Sequence, residues 1–126
     1  MTQHRMSLGL RGEEIAARHL ESRGFRILAR RYRTRLGEID LVARSRDLLV
    51  FVEVKTRRGA GFGPPQESVN LLKQARLCRV ASLYLAEHPA LVRAEIACRF
   101  DVVAIVWEEG RVPRLSHFVD AFRPGG

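Results

Sequence analysis

Charged residues stand in this sequence where strands should be apolar. Gly37-Glu38-Ile39-Asp40 is followed, after a short polar stretch, by Leu48-Leu49-Val50-Phe51-Val52-Glu53-Val54-Lys55. In an extended chain, side chains two apart project from one face, so Glu38 stands with Asp40 and Glu53 with Lys55. Strand interiors disfavour Asp, Glu and Lys, at several tenths to ~1 kcal/mol each in propensity alone. Carboxylates grouped in this way suit a hard divalent cation, Mg2+ or Mn2+, which takes oxygen ligands and keeps several waters. A lysine beside them suits a phosphate or an activated water. Asp40 and Glu53 each offer one oxygen and the Val54 backbone carbonyl a third, the minimum for phosphodiester hydrolysis, with Lys55 orienting the water or neutralising charge on the phosphate. Glu13, from an earlier helix, either reaches the same ion through water or helps to hold a second. Glu38 is either a further ligand or the partner of a nearby arginine.

The ordinary alternative is a solvated sheet face carrying a Glu-Lys pair of little consequence. Leu49 and Phe51 share the face of Glu53 and Lys55, however, so the pattern is that of a core face turning polar at one end. Converging, partly buried charges at such an end are what an active site needs.

Several elements must position these residues. Ser7 caps a predicted helix ending near Arg23, with Leu8, Ile15, Ala16 and Leu20 as its apolar stripe, Glu13 in its early turns and Gly24 as its stop. Residues 25–33, 36–44 and 48–56 read as three strands. The short polar Ser45-Arg46-Asp47 region predicts a hairpin between the last two. An even loop puts Asp40 and Glu53 on the same face and an odd loop separates them. Residues 57–65 combine Arg57 and Arg58 with glycines and prolines and read as an irregular loop. Pro65 then opens a predicted helix running to about His88, stopped by Pro89, with an apolar stripe of Val69, Leu77, Val80, Ala81 and Tyr84. Lys73 falls on that stripe, so it either snorkels to the surface or points into a polar pocket. A strand over 98–107, a turn at Glu108-Glu109-Gly110 and an edge strand over 112–118 complete the chain, Pro113 being tolerable only on an edge. Helix, three strands, helix, two strands predicts an α/β fold, an α+β sandwich with a mixed five-stranded sheet flanked by helices. The strand following the long helix should run parallel to its neighbour. Asp101 shares a strand face with Val103 and Ile105, and burial there predicts a structural ion pair or backbone hydrogen bonds ahead of metal binding. Histidines 4, 19, 88 and 117 share no spacing and are assigned no chemistry.

With 126 residues the chain reads as one domain, 1–126, with its core over about 8–118 and flexible termini. Its 22 basic residues against 14 acidic ones give a net charge of +8, the excess being almost all arginine, which favours a polyanionic partner. Cys78 and Cys98 show no metal-binding or redox spacing and read as small core hydrophobes. No apolar stretch reaches membrane-spanning length and the polar start does not look like a secretory leader, so the expectation is a cytoplasmic protein without membrane contact.

Taken together, Gly12-Glu13 in a helix ending at Gly24-Phe25, Gly37-Glu38-Ile39-Asp40, Phe51-Val52-Glu53-Val54-Lys55-Thr56-Arg57, Lys73-Gln74 and Arg99-Phe100-Asp101-Val102-Val103 resemble the YraN-like family. These are small bacterial proteins of uncharacterised function related to the PD-(D/E)xK nucleases, and the resemblance covers residues 8–107. Within that superfamily the arrangement looks most like archaeal Holliday junction resolvases. The resemblance implies a restriction-endonuclease-like fold and magnesium-dependent cleavage of DNA, and the favoured reading is a resolvase-like enzyme acting on structured or branched DNA. Residue by residue, it implies that Asp40 and Glu53 are metal-binding acids, Lys55 the catalytic lysine and Glu13 the helix-borne acid, with Lys73 and Gln74 polar positions approaching the site from the following helix. Ile39 replaces the proline of the motif. Arg57 and Arg58 are the expected contacts to the DNA backbone. Symmetric cutting of a junction would require a homodimer. The alternative function is a non-catalytic nucleic-acid-binding protein that keeps the fold, with an RNA-directed protein as a weaker third.

Overall fold

The computed structural model describes residues 7–59 and 69–123. The first helix, α1 (Leu8–Ser22), is capped by Ser7, whose side chain accepts from Leu10 N–H, and the chain leaves it through Gly24 at φ +90°. Three antiparallel strands follow, β1 (Arg26–Thr34), β2 (Gly37–Ser45) and β3 (Leu48–Arg58). Ser45 pairs with Leu48, so the hairpin loop is the two residues Arg46 and Asp47, an even number. The chain continues through α2 (Leu71–Glu87) and a short α3 (Pro89–Arg93) to β4 (Ala97–Trp107) and β5 (Arg114–Phe122). The sheet has the order β1-β2-β3-β4-β5, with β4 parallel to β3 and β5 antiparallel to β4. This is the mixed five-stranded sheet with flanking helices that the element order implies.

Two apolar clusters cover the two faces of the sheet. Ala16, Ala17 and Leu20 of α1 pack on Leu41, Ala43, Val50, Val52, Val103 and Ile105. Leu77, Val80, Ala81 and Tyr84 of α2 pack on Ile39, Val42, Leu49, Phe51, Phe100 and Val102. Leu49 and Phe51 thus lie on the α2 side, and Glu53 and Lys55 continue that face by alternation. Gly12 lets α1 approach β3, because a Cβ built there would lie 2.1 Å from Thr56 Cγ2. A Gly12→Ala variant should therefore lose about 1–3 kcal/mol of stability to overpacking despite its better helix propensity. Denaturant melts of Gly12→Ala and of Gly12→Ala/Thr56→Ser check this, since serine removes the opposing methyl and should restore most of the loss.

Some expectations need correction. The second helix does not begin at Pro65: Val69 and Asn70 are not helical, and the Asn70 side chain caps α2 by accepting from Lys73 N–H at 2.9 Å. Residues 60–68, with most of the expected glycine loop, lie outside the described residues. Arg57 and Arg58 are not in a loop but end β3, because β4 offers them partners in Val106 and Trp107. Pro89 ends one helix and starts another, α3. Cys98 is exposed and not a core residue. The edge strand starts after Pro113, at Arg114, and runs on to Phe122.

Candidate active site at the fork between two strands

The ladder between β2 and β3 stops at Leu41↔Val52. Beyond it β2 stays with β1 as far as Gly37, while β3 stays with β4 as far as Arg58. The sheet therefore forks at Asp40 and Glu53. Backbone groups at a fork lose their ladder partners and must find others. Val54 N–H donates to Asp40 Oδ2 at 2.7 Å, so the Asp40 side chain takes the place of a strand carbonyl.

Asp40 and Glu53 line one recess of about 210 Å³ with Glu38, Lys73 and Arg76. Glu53 Oε1 receives two ammonium groups, Lys73 Nζ at 2.8 Å and Lys55 Nζ at 3.6 Å. The sequence contains twenty arginines and only these two lysines, and both lie on one carboxylate oxygen. Arginine stays protonated in proteins, whereas a partly buried lysine can shift its pKa. Burial first, then the nearby Lys73, pulls the Lys55 ammonium below its usual value against the opposing pull of Glu53. Burial pulls on Lys73 most strongly, but its hydrogen bonds to Glu53 and Lys55 and the charges of Glu53 and Asp40 together outweigh that and hold it above the usual value.

Burial and then the charge of Glu53 push the Asp40 carboxyl up to about 7, against the Val54 N–H, with Glu13 and Glu38 adding to the repulsion. A folded-state value above the unfolded one means that the folded chain holds the proton more tightly. The resulting penalty is absent below about pH 4 and fully present above about pH 7. With allowance for the solvent that reaches this half-buried group, the cost is on the order of 1–2 kcal/mol. Asp40→Asn should accordingly melt higher than wild type at pH 8 in chelator, with the difference vanishing near pH 4. Equal melting at both pH values would remove the strain assigned to Asp40.

Glu13 of α1 is not among the residues that line the recess, although its charge acts on Asp40. Its nearest partner is Arg31 at 3.9 Å, and burial, with the carboxylates of Glu38 and Glu53, raises its pKa against the pull of Arg31 and Arg33. Among the described residues no three Asp, Glu, His or Cys side chains converge into a ready-made metal cage. What the fork offers is two carboxylates, hard oxygen donors of the kind magnesium accepts while retaining waters. The residues present fit such an ion.

The remaining expected residues divide. Glu38 pairs with Arg33 at 3.1 Å, the second of its two readings, while still lining the recess. Lys73 points into the polar pocket, the rarer of its alternatives. Gln74 Nε2 donates to the Val69 carbonyl at 2.9 Å, holding the start of α2. Arg58 is exposed and Arg57 half-buried at the end of β3, beyond Lys55.

Asp101 is fully buried and is satisfied by protein groups. Arg99 donates to both its oxygens at 2.8 and 2.9 Å, His117 Nε2 lies 2.8 Å from Oδ2, and Asp120 N–H donates to Oδ1 at 2.9 Å. Burial raises its pKa, but these partners outweigh it and leave the carboxyl below its usual value. His117 Nδ1 in turn lies 3.0 Å from His19 Nε2 of α1. Residue spacing held no sign of this histidine pair, because it joins elements ninety-eight positions apart. The signal for Lys73 was present, in the scarcity of lysine beside so much arginine.

Residues 12–105 match the model of a family described as uncharacterised protein family UPF0102. A UPF0102 protein of Pelotomaculum thermopropionicum is 49% identical over 123 residues, covering 97% of this chain and 100% of that protein. The chain belongs to the UPF0102 (YraN) family. UPF0102 proteins of Rhodococcus opacus, at 47% identity over 94% of this chain and 98% of the relative, and Geobacter sulfurreducens, at 44% over 96% and 92%, agree along nearly the whole length. The UPF0102 match spans Glu13, Asp40, Glu53, Lys55 and Lys73 alike. Among the described residues no helix is long and apolar enough to cross a membrane.

Proposed function

We propose that this protein is a metal-dependent endonuclease that hydrolyses phosphodiester bonds of structured or branched DNA in the manner of a resolvase. The observation that carries the reading is the fork: two carboxylates face one recess, one of them with its pKa raised by burial and then by the other, and both lysines of the chain attend them. A site with that much crowded negative charge favours a cation.

Asp40, Glu53 and the Val54 carbonyl would hold Mg2+ or Mn2+, with Glu13 reaching it through water. The ion would polarise the phosphoryl group and acidify a bound water. Lys55 would orient the water that attacks phosphorus or neutralise charge developing on the phosphate, the proton of that water passing to solvent. The bond from phosphorus to the leaving oxygen breaks, and that oxygen is protonated from solvent. Lys73 holds Glu53 in place and offsets charge developing on the phosphate. Arg57 and Arg58, further along the strand that carries Lys55, contact the DNA backbone, and the excess of arginine makes binding fall steeply with salt.

One observation favours the second reading, a non-catalytic nucleic-acid-binding protein: Lys73 already satisfies Glu53 at 2.8 Å, as a structural ion pair would. Labelled single-stranded, duplex, flap and four-way DNAs, incubated with magnesium, manganese or chelator, separate the two. Metal-dependent cutting of branched substrates is the expected result. Tight binding without cutting in either metal selects the binding protein. Sedimentation of the protein with a four-way junction tests the homodimer that symmetric cutting needs.

A further inference from the structure

On the α1 side of the sheet, beyond the fork, lies a second cleft of about 650 Å³, lined by Leu8, Arg11, Arg58, Gly59, Trp107 and two glutamates. Arg58 and Trp107 are register partners at the ends of β3 and β4, and Gly59 N–H donates to the Trp107 carbonyl at 2.8 Å, fixing the floor. Arg11 of α1 lies over the indole, its Cζ 5.5 Å from the ring centroid. The tryptophan also packs against the cluster containing Val103 and Ile105. Among the described residues, Trp107 Nε1 is the buried side-chain polar atom without a hydrogen-bond partner. A buried unsatisfied donor is uncommon and costly, so the indole is held by packing and by Arg11 rather than anchored at its polar end. Of the acids, Glu108 is neutralised by Arg114 at 2.6 Å and Arg111 at 3.8 Å. Glu109 remains on the rim, where its carboxylate suits the exocyclic amine of a base and not a phosphate.

We infer that this cleft binds one unpaired nucleotide of the DNA, its base stacked on the Arg11–Trp107 pair and its phosphate on Arg58. The inference rests on the nucleic-acid reading above and adds a selectivity to it. Planar guanidinium and indole surfaces hold bases whose faces are free, whereas bases inside a duplex are already stacked. Arg58 lies three positions beyond Lys55 on the same strand, an odd step that turns it to the α1 face, so a DNA strand must pass round the end of β3 to reach both this cleft and the fork. A strand leaving a flap or junction offers such a nucleotide, and a blunt duplex does not.

Trp107 is the only tryptophan in the sequence, so its fluorescence reports this cleft alone. The purified full chain in chelator is titrated with a single-stranded oligonucleotide, a flap and a blunt duplex, and anisotropy of labelled copies measures binding independently. Single-stranded and flap DNA should quench Trp107, while the duplex binds without quenching. Arg11→Ala, an exposed position away from the fork, should weaken single-strand binding by about 5- to 100-fold and leave duplex affinity unchanged. Trp107→Phe, read by anisotropy alone, should weaken it less, since the smaller ring still stacks. Binding by anisotropy with no quenching, or equal quenching by the blunt duplex, overturns the inference and leaves the nuclease reading standing. No binding of any DNA overturns both.

Discussion

Asp40→Asn and Lys55→Ala should each lower metal-dependent cleavage of branched DNA by at least ~10²-fold, the scale seen when one preorganised electrostatic group is removed from an active site. Asparagine keeps the acceptor that takes Val54 N–H, so the fork should hold its shape while losing one anionic ligand. Alanine at Lys55 removes the amine and leaves Lys73 on Glu53. DNA binding should survive in both variants. Asp40→Asn should bind DNA more tightly than wild type without metal, because one negative charge has left a surface that must approach phosphate. Purified wild type and both variants, assayed together for cleavage and for binding, provide the check. Cleavage that persists undiminished in both would place the chemistry elsewhere or in a contaminant.

Asp101→Ala should be among the most destabilising single changes in the molecule, costing about 3–5 kcal/mol, the range for removing one partner of a buried charged cluster. The substitution strands the Arg99 guanidinium, His117 and Asp120 N–H at once, where the native carboxylate satisfies all three. Because the Asp101 pKa is lowered on folding, its contribution is complete above about pH 4 and fades as pH falls through the folded-state value. Chemical denaturation at pH 7 should show the full loss, and the gap to wild type should narrow in acid. A variant within 1 kcal/mol of wild type at pH 7 would show the cluster to be ornamental.

Much of this arrangement was legible in the sequence, and the reasons are specific. Glu53 and Lys55 break an apolar run whose other members build the core, so alternation alone places them on the Phe51 face. The two-residue loop of Arg46 and Asp47 fixes the register that brings Asp40 beside Glu53. Asp101 had to be paired, since a charge between Phe100 and Val102 cannot face the core alone. The misreadings share one cause, which is that tertiary partners overrule local composition. Arg57 and Arg58 look like loop residues until β4 supplies their ladder. Phe122 joins the edge strand only because the ladder shifts around Asp101, whose carboxylate takes the N–H of Asp120 at φ +54°. His19 and His117 meet only once α1 is laid across the sheet. Asn70 was a readable cap, and the preceding prolines obscured it.

The parallel pairing of β3 with β4 has a kinetic consequence. Leu48 faces Ala97 and Arg58 faces Trp107, so the centre of the sheet cannot zip from a turn and must wait for the closure of a loop of about fifty residues. The antiparallel meander of β1, β2 and β3 closes through short turns and assembles first. Asp40 and Glu53 therefore meet with Lys55 beside them but while Lys73 is still on an undocked segment, and the nascent fork lacks one of its two cations until α2 settles. Refolding should thus accelerate when divalent cations are added or when the pH is lowered toward the value at which Asp40 takes up its proton. A cation drawn to the fork would then also ease the chain through its assembly.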